Sequence, residues 1–281
     1  MPAPTLPIDI YGHILQNLGK EFLLNLLFVS RAFNRETERQ LYHTILYTSH
    51  QWSERRCTAL FSQLIRSDRV GPYIHALHLS IPMEDLPSER RLSLSSLLQA
   101  SYRKMPNLKI LTLRLSGDAD IIPQPEVPFH LHKLHLWSLR RGSDADPPEE
   151  QTAVHAFLES RKLDGLIEFV TSQENILPLS PAALPNLLIL TCAVQLLAIF
   201  LPGRHVAHLR SIAGGYLHER DDASSLLASI NIKSLFTDGP ELFKIFEQDF
   251  IALESLELTM VSEGFLRVAP TAFDILKSLF A

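Results

Sequence analysis

The sequence has few cysteines and no excess of basic residues, and each shortage excludes a class of protein. Only Cys57 and Cys192 occur in 281 residues. They are far apart and show no metal-ligand spacing, which excludes a disulfide framework and favours a reducing compartment. Lys and Arg number 26 against 31 Asp and Glu, so the net charge is −5. This balance offers no basic footprint for nucleic acid.

The sequence also lacks the short motifs that mark many enzymes and cofactor sites. GxSxG, GxGxxG, the Walker loop and HExxH are all absent. His130, His132 and His135 are close together, but strand alternation would place His135 on the opposite face from the other two. We therefore predict no catalytic residue, no metal and no cofactor. An enzyme would require a deep pocket lined by a Ser/His or carboxylate pair.

No apolar run is long enough for a membrane span. Residues 187–201 form a stretch of 15 residues, against the ~18–20 that a bilayer requires, and Pro185 and Pro202 flank it. This stretch predicts a buried strand followed by a buried helix. The first ten residues have neither a basic region nor a clear apolar region, so no signal peptide is expected. We predict a cytoplasmic and/or nuclear protein that binds neither membrane nor nucleic acid.

The N-terminal segment has the pattern of three short helices. Pro7 suits a first helical turn, and Gly19 suits the end of the same helix. The apolar stripe between them has helical spacing and consists of Tyr11, Ile14, Leu15 and Leu18. Residues 22–29 are apolar apart from Asn25, which predicts a helix buried on more than one side. Ser30 is a suitable N-cap for a third helix.

The order of motifs in this segment resembles the F-box. The dipeptide "LP" is followed by Asp9, then by "IL" at Ile14 and Leu15, and then by a leucine-rich stretch that ends in "VSRAFN". With "LYHTILYTS" directly after it, the segment is especially similar to the F-box proteins that are abundant in mushroom-forming fungi. The resemblance covers about residues 6–46 and implies a short three-helix F-box module within residues 1–48.

The resemblance also implies a partner for these helices. An F-box docks on a Skp-type adaptor, which connects it to the scaffold of a cullin–RING ubiquitin ligase. The residues implied to contact the adaptor, or to hold the helices that do so, are Leu6, Pro7, Ile10, Ile14, Leu15, Leu27, Val29 and Phe33. In the alternative interpretation the helices only cap the domain that follows. The chain would then be a non-catalytic repeat scaffold for protein–protein interaction, outside ubiquitin transfer.

The rest of the chain, residues 49–281, contains a recurring leucine pattern. Leucine occupies 50 of the 281 positions. The motif LxxLxL, or a near match, recurs at residues 74–79, 108–113, 131–136, 187–192, 206–211, 232–237 and 253–258, with a weaker candidate at 163–168. The fourth residues of successive motifs are 19 to 34 positions apart. This spacing brackets the period of about 20–29 residues that is typical of leucine-rich repeats.

Helix-like stretches precede or separate the leucine motifs, so the second part has helix and strand in alternation; they lie at residues 54–67, 88–104, 147–161, 193–200, 221–230 and 240–250. Repeated units of this kind predict an irregular leucine-rich-repeat-like α/β solenoid with a parallel strand array. A different α/β domain would also alternate helix and strand and is the alternative fold. The apolar stretch at residues 270–281 leads us to expect an array that is truncated at its C-terminus.

Residues that alternate with the buried leucines should project from the concave face of such an array. These candidates for contact with a target protein are His78, Thr112, Arg114, His135, Trp137, Arg210, Phe236 and Glu257. Trp137 and Arg114 belong to residue types that often anchor interfaces. The sequence thus predicts a substrate-recognition adaptor of a ubiquitin ligase, with an unidentified protein as its target.

Overall fold

The structure is a computed structural model, and it describes part of the chain. The described residues are 8–47, 53–82, 86–115, 121–138, 148–172, 176–192, 196–201, 203–211, 234–237 and 255–258. In these residues the chain is an α/β protein with a parallel sheet. It comprises two compact units, one formed by residues 1–111 and 126–130 and the other by residues 112–125 and 131–281.

The first unit begins with helices and continues with alternating strands and helices. Its elements are α1 (Ile8–Gln16), α2 (Lys20–Leu26), α3 (Arg31–His43), β1 (Thr44–Tyr47), α4 (Glu54–Arg66), a 3-10 turn (Gly71–Tyr73), β2 (Ala76–Ser80), α5 (Ser88–Tyr102) and the first residues of β3 (Ile110–Leu115). These bounds confirm the three helices predicted near the N-terminus and the two predicted before the first two leucine motifs.

The three N-terminal helices are organised around α3, which both α1 and α2 contact. The Ser30 hydroxyl accepts the backbone N–H of Phe33 at 3.3 Å, which confirms the predicted N-cap. The ring of Phe33 packs edge-on against Tyr11, with 4.7 Å between the ring centroids. Leu15 of α1 and Leu23 of α2 are buried. One side of each of the first two helices therefore supplies the core of this segment.

The strand β1 is absent from the sequence-based prediction. It follows α3 directly and runs parallel to β2, with Ile45 opposite Leu77. The imidazole rings of His43 and His75 stack with 4.6 Å between centroids, and the backbone N–H of His75 donates to the backbone carbonyl of His43 at 2.9 Å. The segment within residues 1–48 therefore contains a strand as well as helices, and the division of the chain at residue 48 stays a prediction.

The second unit contains the end of β3 and a run of parallel strands. Its further elements are β4 (Lys133–Ser138), α6 (Pro148–Leu158), a 3-10 turn (Arg161–Leu163), β5 (Glu168–Thr171), β6 (Ile189–Cys192), α7 (Leu197–Phe200), β7 (His208–Ser211), β8 (Ser234–Thr237) and β9 (Ser255–Leu258). Strands β4 to β9 pair in chain order, and each pair is parallel. Seven predicted leucine motifs coincide with strands β2 to β4 and β6 to β9.

One row of residues in register runs across these six strands, and its first four members are buried. Its members lie opposite one another and are Leu134, Phe169, Leu190, Leu209, Leu235 and Leu256. The weaker motif at residues 163–168 is therefore misplaced by three residues, because the anchor of β5 is Phe169 and not Leu166. Leu166 is also buried. It stands three residues before the anchor, as the first leucine of the other motifs does, and this explains the error.

The apolar stretch at residues 187–201 forms a strand and a short helix, as predicted. They are β6 and α7, and Phe200 of α7 packs against Phe169 with 5.1 Å between ring centroids. Among the described helices, none has both the length and the apolarity needed to cross a membrane. The helix-like stretches at residues 221–230, 240–250 and 270–281 lie outside the described residues.

Candidate functional site

The N-terminal helices present large apolar side chains to solvent. These residues, here called the N-terminal apolar surface, are Ile10 (42% exposed), Ile14 (42%), Phe22 (57%), Leu24 (55%), Phe28 (89%) and Val29 (61%). Ile10 and Ile14 lie one turn apart on α1, and the other four belong to α2 and the turn that follows it. Apolar exposure of this extent in one short segment is typical of a surface that another molecule covers.

The exposure of α2 contradicts the prediction that this helix is buried on more than one side. Leu23 is 4% exposed and forms its packed side, while Phe22 and Leu24 on either side of it are more than half exposed. The helix ends at Leu26, before the predicted Val29. A helix that is apolar on all sides but contacts one neighbouring helix must leave the other apolar positions in water.

The residues implied to serve adaptor binding fall into three groups. Ile10, Ile14 and Val29 are exposed, Leu15 is 1% exposed, and the remaining described ones, Leu27 and Phe33, are half-buried. Leu6 and Pro7 lie outside the described residues. Leu15 is therefore suited to hold the helices in place, and the exposed residues are suited to touch a partner.

Three exposed apolar residues are absent from that implied set: Phe22, Leu24 and Phe28. The sequence carried a signal for them, because residues 22–29 are apolar at nearly every position while a short helix can bury only part of its circumference. Which of these residues remain exposed depends on the position of the neighbouring helix, and the sequence pattern does not give that position.

The predicted target-binding residues all lie on strands. His135, Arg210, Phe236 and Glu257 occupy one row of the second unit, in register with Val170 of β5 and Thr191 of β6 between them, as the consecutive pairings show. The side chains of Arg210, Phe236 and Glu257 lie outside the described part of the structure.

The other predicted target-binding residues are described in full. Arg114 is exposed at the end of β3, and Thr112, two residues before it, is half-buried. Trp137 on β4 is half-buried as well. In the first unit, His78 is half-buried on β2 and lies opposite Leu46 of β1, which is 54% exposed.

A charged cluster lies on the same strand face as His135. The Glu168 carboxylate is 2.5 Å from Lys133 Nζ and accepts a hydrogen bond from His135 Nε2 at 3.2 Å. Burial alone would raise the pKa of Glu168, but its hydrogen bond to Lys133 and the charges of Lys133 and His135 outweigh that effect and lower the pKa. Glu168 is therefore a carboxylate at neutral pH, and sequence analysis missed it because its strand was placed three residues too early.

One serine of the second unit lies near a carboxylate and a histidine. The Ser180 hydroxyl is 3.0 Å from a Glu159 oxygen, and His155 Nε2 is 3.0 Å from the Pro178 carbonyl oxygen. The histidine that would have to remove the serine proton is thus directed at a backbone oxygen, so this arrangement does not prepare a nucleophile. Within the part of the chain that the structure describes, no three His, Cys, Asp or Glu residues converge as metal ligands.

No protein-family model matches the sequence, and no curated protein matches it significantly.

Proposed function

We propose that the chain is a substrate-recognition adaptor of a cullin–RING ubiquitin ligase. Its N-terminal helices would act as an F-box that docks on a Skp-type adaptor. The α/β part would be a leucine-rich-repeat-like solenoid that holds a target protein. The chain would contribute no catalytic residue, because holding the target beside a ubiquitin-loaded enzyme raises its effective concentration to the order of millimolar.

The observation that carries this proposal is the exposure of the N-terminal apolar surface. A cap would bury its apolar residues against the first repeat, whereas a docking module leaves them in solvent until the partner binds. Phe28 is 89% exposed and Val29 61%, in a segment whose motif order resembles the F-box. An aromatic side chain of this kind is a common anchor of protein interfaces.

The array of strands supports the second half of the proposal. Six parallel strands of the second unit pair in chain order. In each strand whose side chains are described, the anchor residue is buried. Their other face carries Lys133, His135, Trp137 and Glu168, which combine charge with an aromatic surface. A target protein would bind on this face.

The test is co-purification of the chain with a Skp-type adaptor from the same organism. A variant with Phe22→Ser and Phe28→Ser should bind at least about 100-fold more weakly, since anchor residues commonly contribute 2 kcal/mol or more each. Both positions are more than half exposed, so the variant should stay folded. The matched control is Leu92→Ser on α5, which is 61% exposed outside the N-terminal helices.

Point variants are better suited to this test than removal of residues 1–48, because that deletion would also remove β1 from β2. A stoichiometric complex that the Phe22/Phe28 variant loses and the Leu92 control keeps would support the adaptor function. A folded chain that binds no Skp-type adaptor would refute it. The repeat scaffold with capping helices would then be the better interpretation.

A further inference from the structure

Two arginines follow the N-terminal apolar surface without a partner in the described structure. Arg31 is the first residue of α3, and Arg35 lies one turn later; both are exposed. Among the described residues, no carboxylate forms an ion pair with either. Arg31 is three positions after Phe28, so their Cα atoms are at most about 11 Å apart. Arg31 therefore lies close to the C-terminal end of the apolar surface, and Arg35 follows one helical turn later.

Two of the carboxylates described in the three helices form ion pairs with other arginines. Glu36 accepts hydrogen bonds from Arg39 at 2.9 and 3.0 Å, and Glu38 forms an ion pair with Arg69. Glu21 folds back over Gly19 at the start of α2. The first turn of α3 contains no acidic residue. Among the side chains that the structure describes, no ion pair thus neutralises Arg31 or Arg35, although the whole chain has a net charge of −5.

We propose that the partner covering the N-terminal apolar surface presents carboxylates to Arg31 and Arg35. This inference rests on the proposed function and specifies its partner: the contact surface of the Skp-type adaptor combines an apolar groove with an acidic rim. The apolar groove would receive side chains such as Phe28, and the acidic rim would face the start of α3.

The physical argument is charge complementarity at the edge of an apolar contact. Charges at the rim of an interface contribute modestly to affinity, but they accelerate association and exclude partners of the wrong sign. An Arg guanidinium matches a carboxylate with two parallel hydrogen bonds, which also fixes the orientation of docking. Two arginines one helical turn apart would thus orient α3 on the partner.

The experiment measures association of the full chain with the Skp-type adaptor at about 50 mM and about 500 mM salt. The variant Arg31→Gln/Arg35→Gln should bind about five-fold more weakly at low salt, mainly through slower association, and the difference should nearly vanish at high salt. The matched control is Arg55→Gln/Arg56→Gln, which removes the same charge from exposed positions of α4 and should bind as the wild type does.

Two results would overturn the inference while the proposed function stands. One is a double variant that binds as tightly as the wild type at both salt concentrations. The other is a loss of affinity that is equal at both concentrations, because that would indicate lost packing and no charge contact. A wild-type chain that binds no adaptor at all would refute the proposed function, and this inference with it. Circular dichroism of each variant checks that the helices are intact.

Discussion

Replacing Phe169 by alanine should destabilise the second unit by about 4 kcal/mol. The side chain is 0% exposed, and its ring packs 5.1 Å from that of Phe200. Truncation of a buried phenylalanine costs about 3–5 kcal/mol, because transfer energy is lost and a cavity remains. For a chain of this size, such a loss should lower the melting temperature by about 10 °C.

This variant decides which residue anchors β5. If Leu166 were the anchor, strand alternation would place Phe169 on the other face of the sheet, and its truncation would cost about 1 kcal/mol or less. The matched control is Ile167→Ala, because Ile167 is 41% exposed two positions earlier and should lose about 1 kcal/mol or less. Urea unfolding followed by circular dichroism measures both values. A Phe169→Ala chain within 1 kcal/mol of the wild type would refute the register.

Two further predictions concern titratable groups. Burial raises the pKa of the Cys57 thiol to about 12. A thiol reagent should therefore label Cys57 only after the chain is unfolded. Rapid labelling of Cys57 in the folded chain would contradict its burial. The pKa of Glu168 is lowered in the folded chain, so its ion pairs stabilise the fold at pH values above the ordinary pKa of glutamate. This stabilisation is lost as the pH falls through the lowered pKa. The free energy of unfolding, measured with urea from about pH 7 to pH 3, should therefore depend less on pH in Glu168→Gln than in the wild type. The same pH dependence in both proteins would mean that the contacts of Glu168 with Lys133 and His135 are not formed.

The strands were predictable because the leucine motif specifies two things at once. Alternation within the motif marks the buried face of each strand, and recurrence of the motif marks the next strand. This holds for Leu134, Leu190 and Leu209, which are buried and in register with the anchors of neighbouring strands. It fails at β5, where phenylalanine replaces the anchor leucine, and at β1, which has four residues and one buried position, Ile45.

The exposed surface of α2 and the cluster at Glu168 show what sequence patterns omit. An apolar helix must be covered, but the pattern does not say whether the covering group belongs to the same chain. Likewise, Glu168 lies 35 positions after Lys133, and only strand register brings the two side chains together. A prediction that displaces one strand by three residues turns such a pair away from each other, although the buried leucines still satisfy the motif.

The connection between α3 and β1 bears on how the proposed adaptor would position its target. No loop separates the two elements, since α3 ends at His43 and β1 starts at the next residue. The stacking of His43 on His75 and the ion pair between Glu38 and Arg69 further fix α3 to the segment that leads into β2. A flexible tether would let the proposed docking surface and the first strands sample many orientations, whereas this direct connection reduces their number. Proximity catalysis gains from such restriction because the effective concentration of a bound target rises when fewer arrangements are sampled. If the N-terminal helices do dock on a ligase scaffold, β1 is therefore part of the docking device as well as the first strand of the sheet.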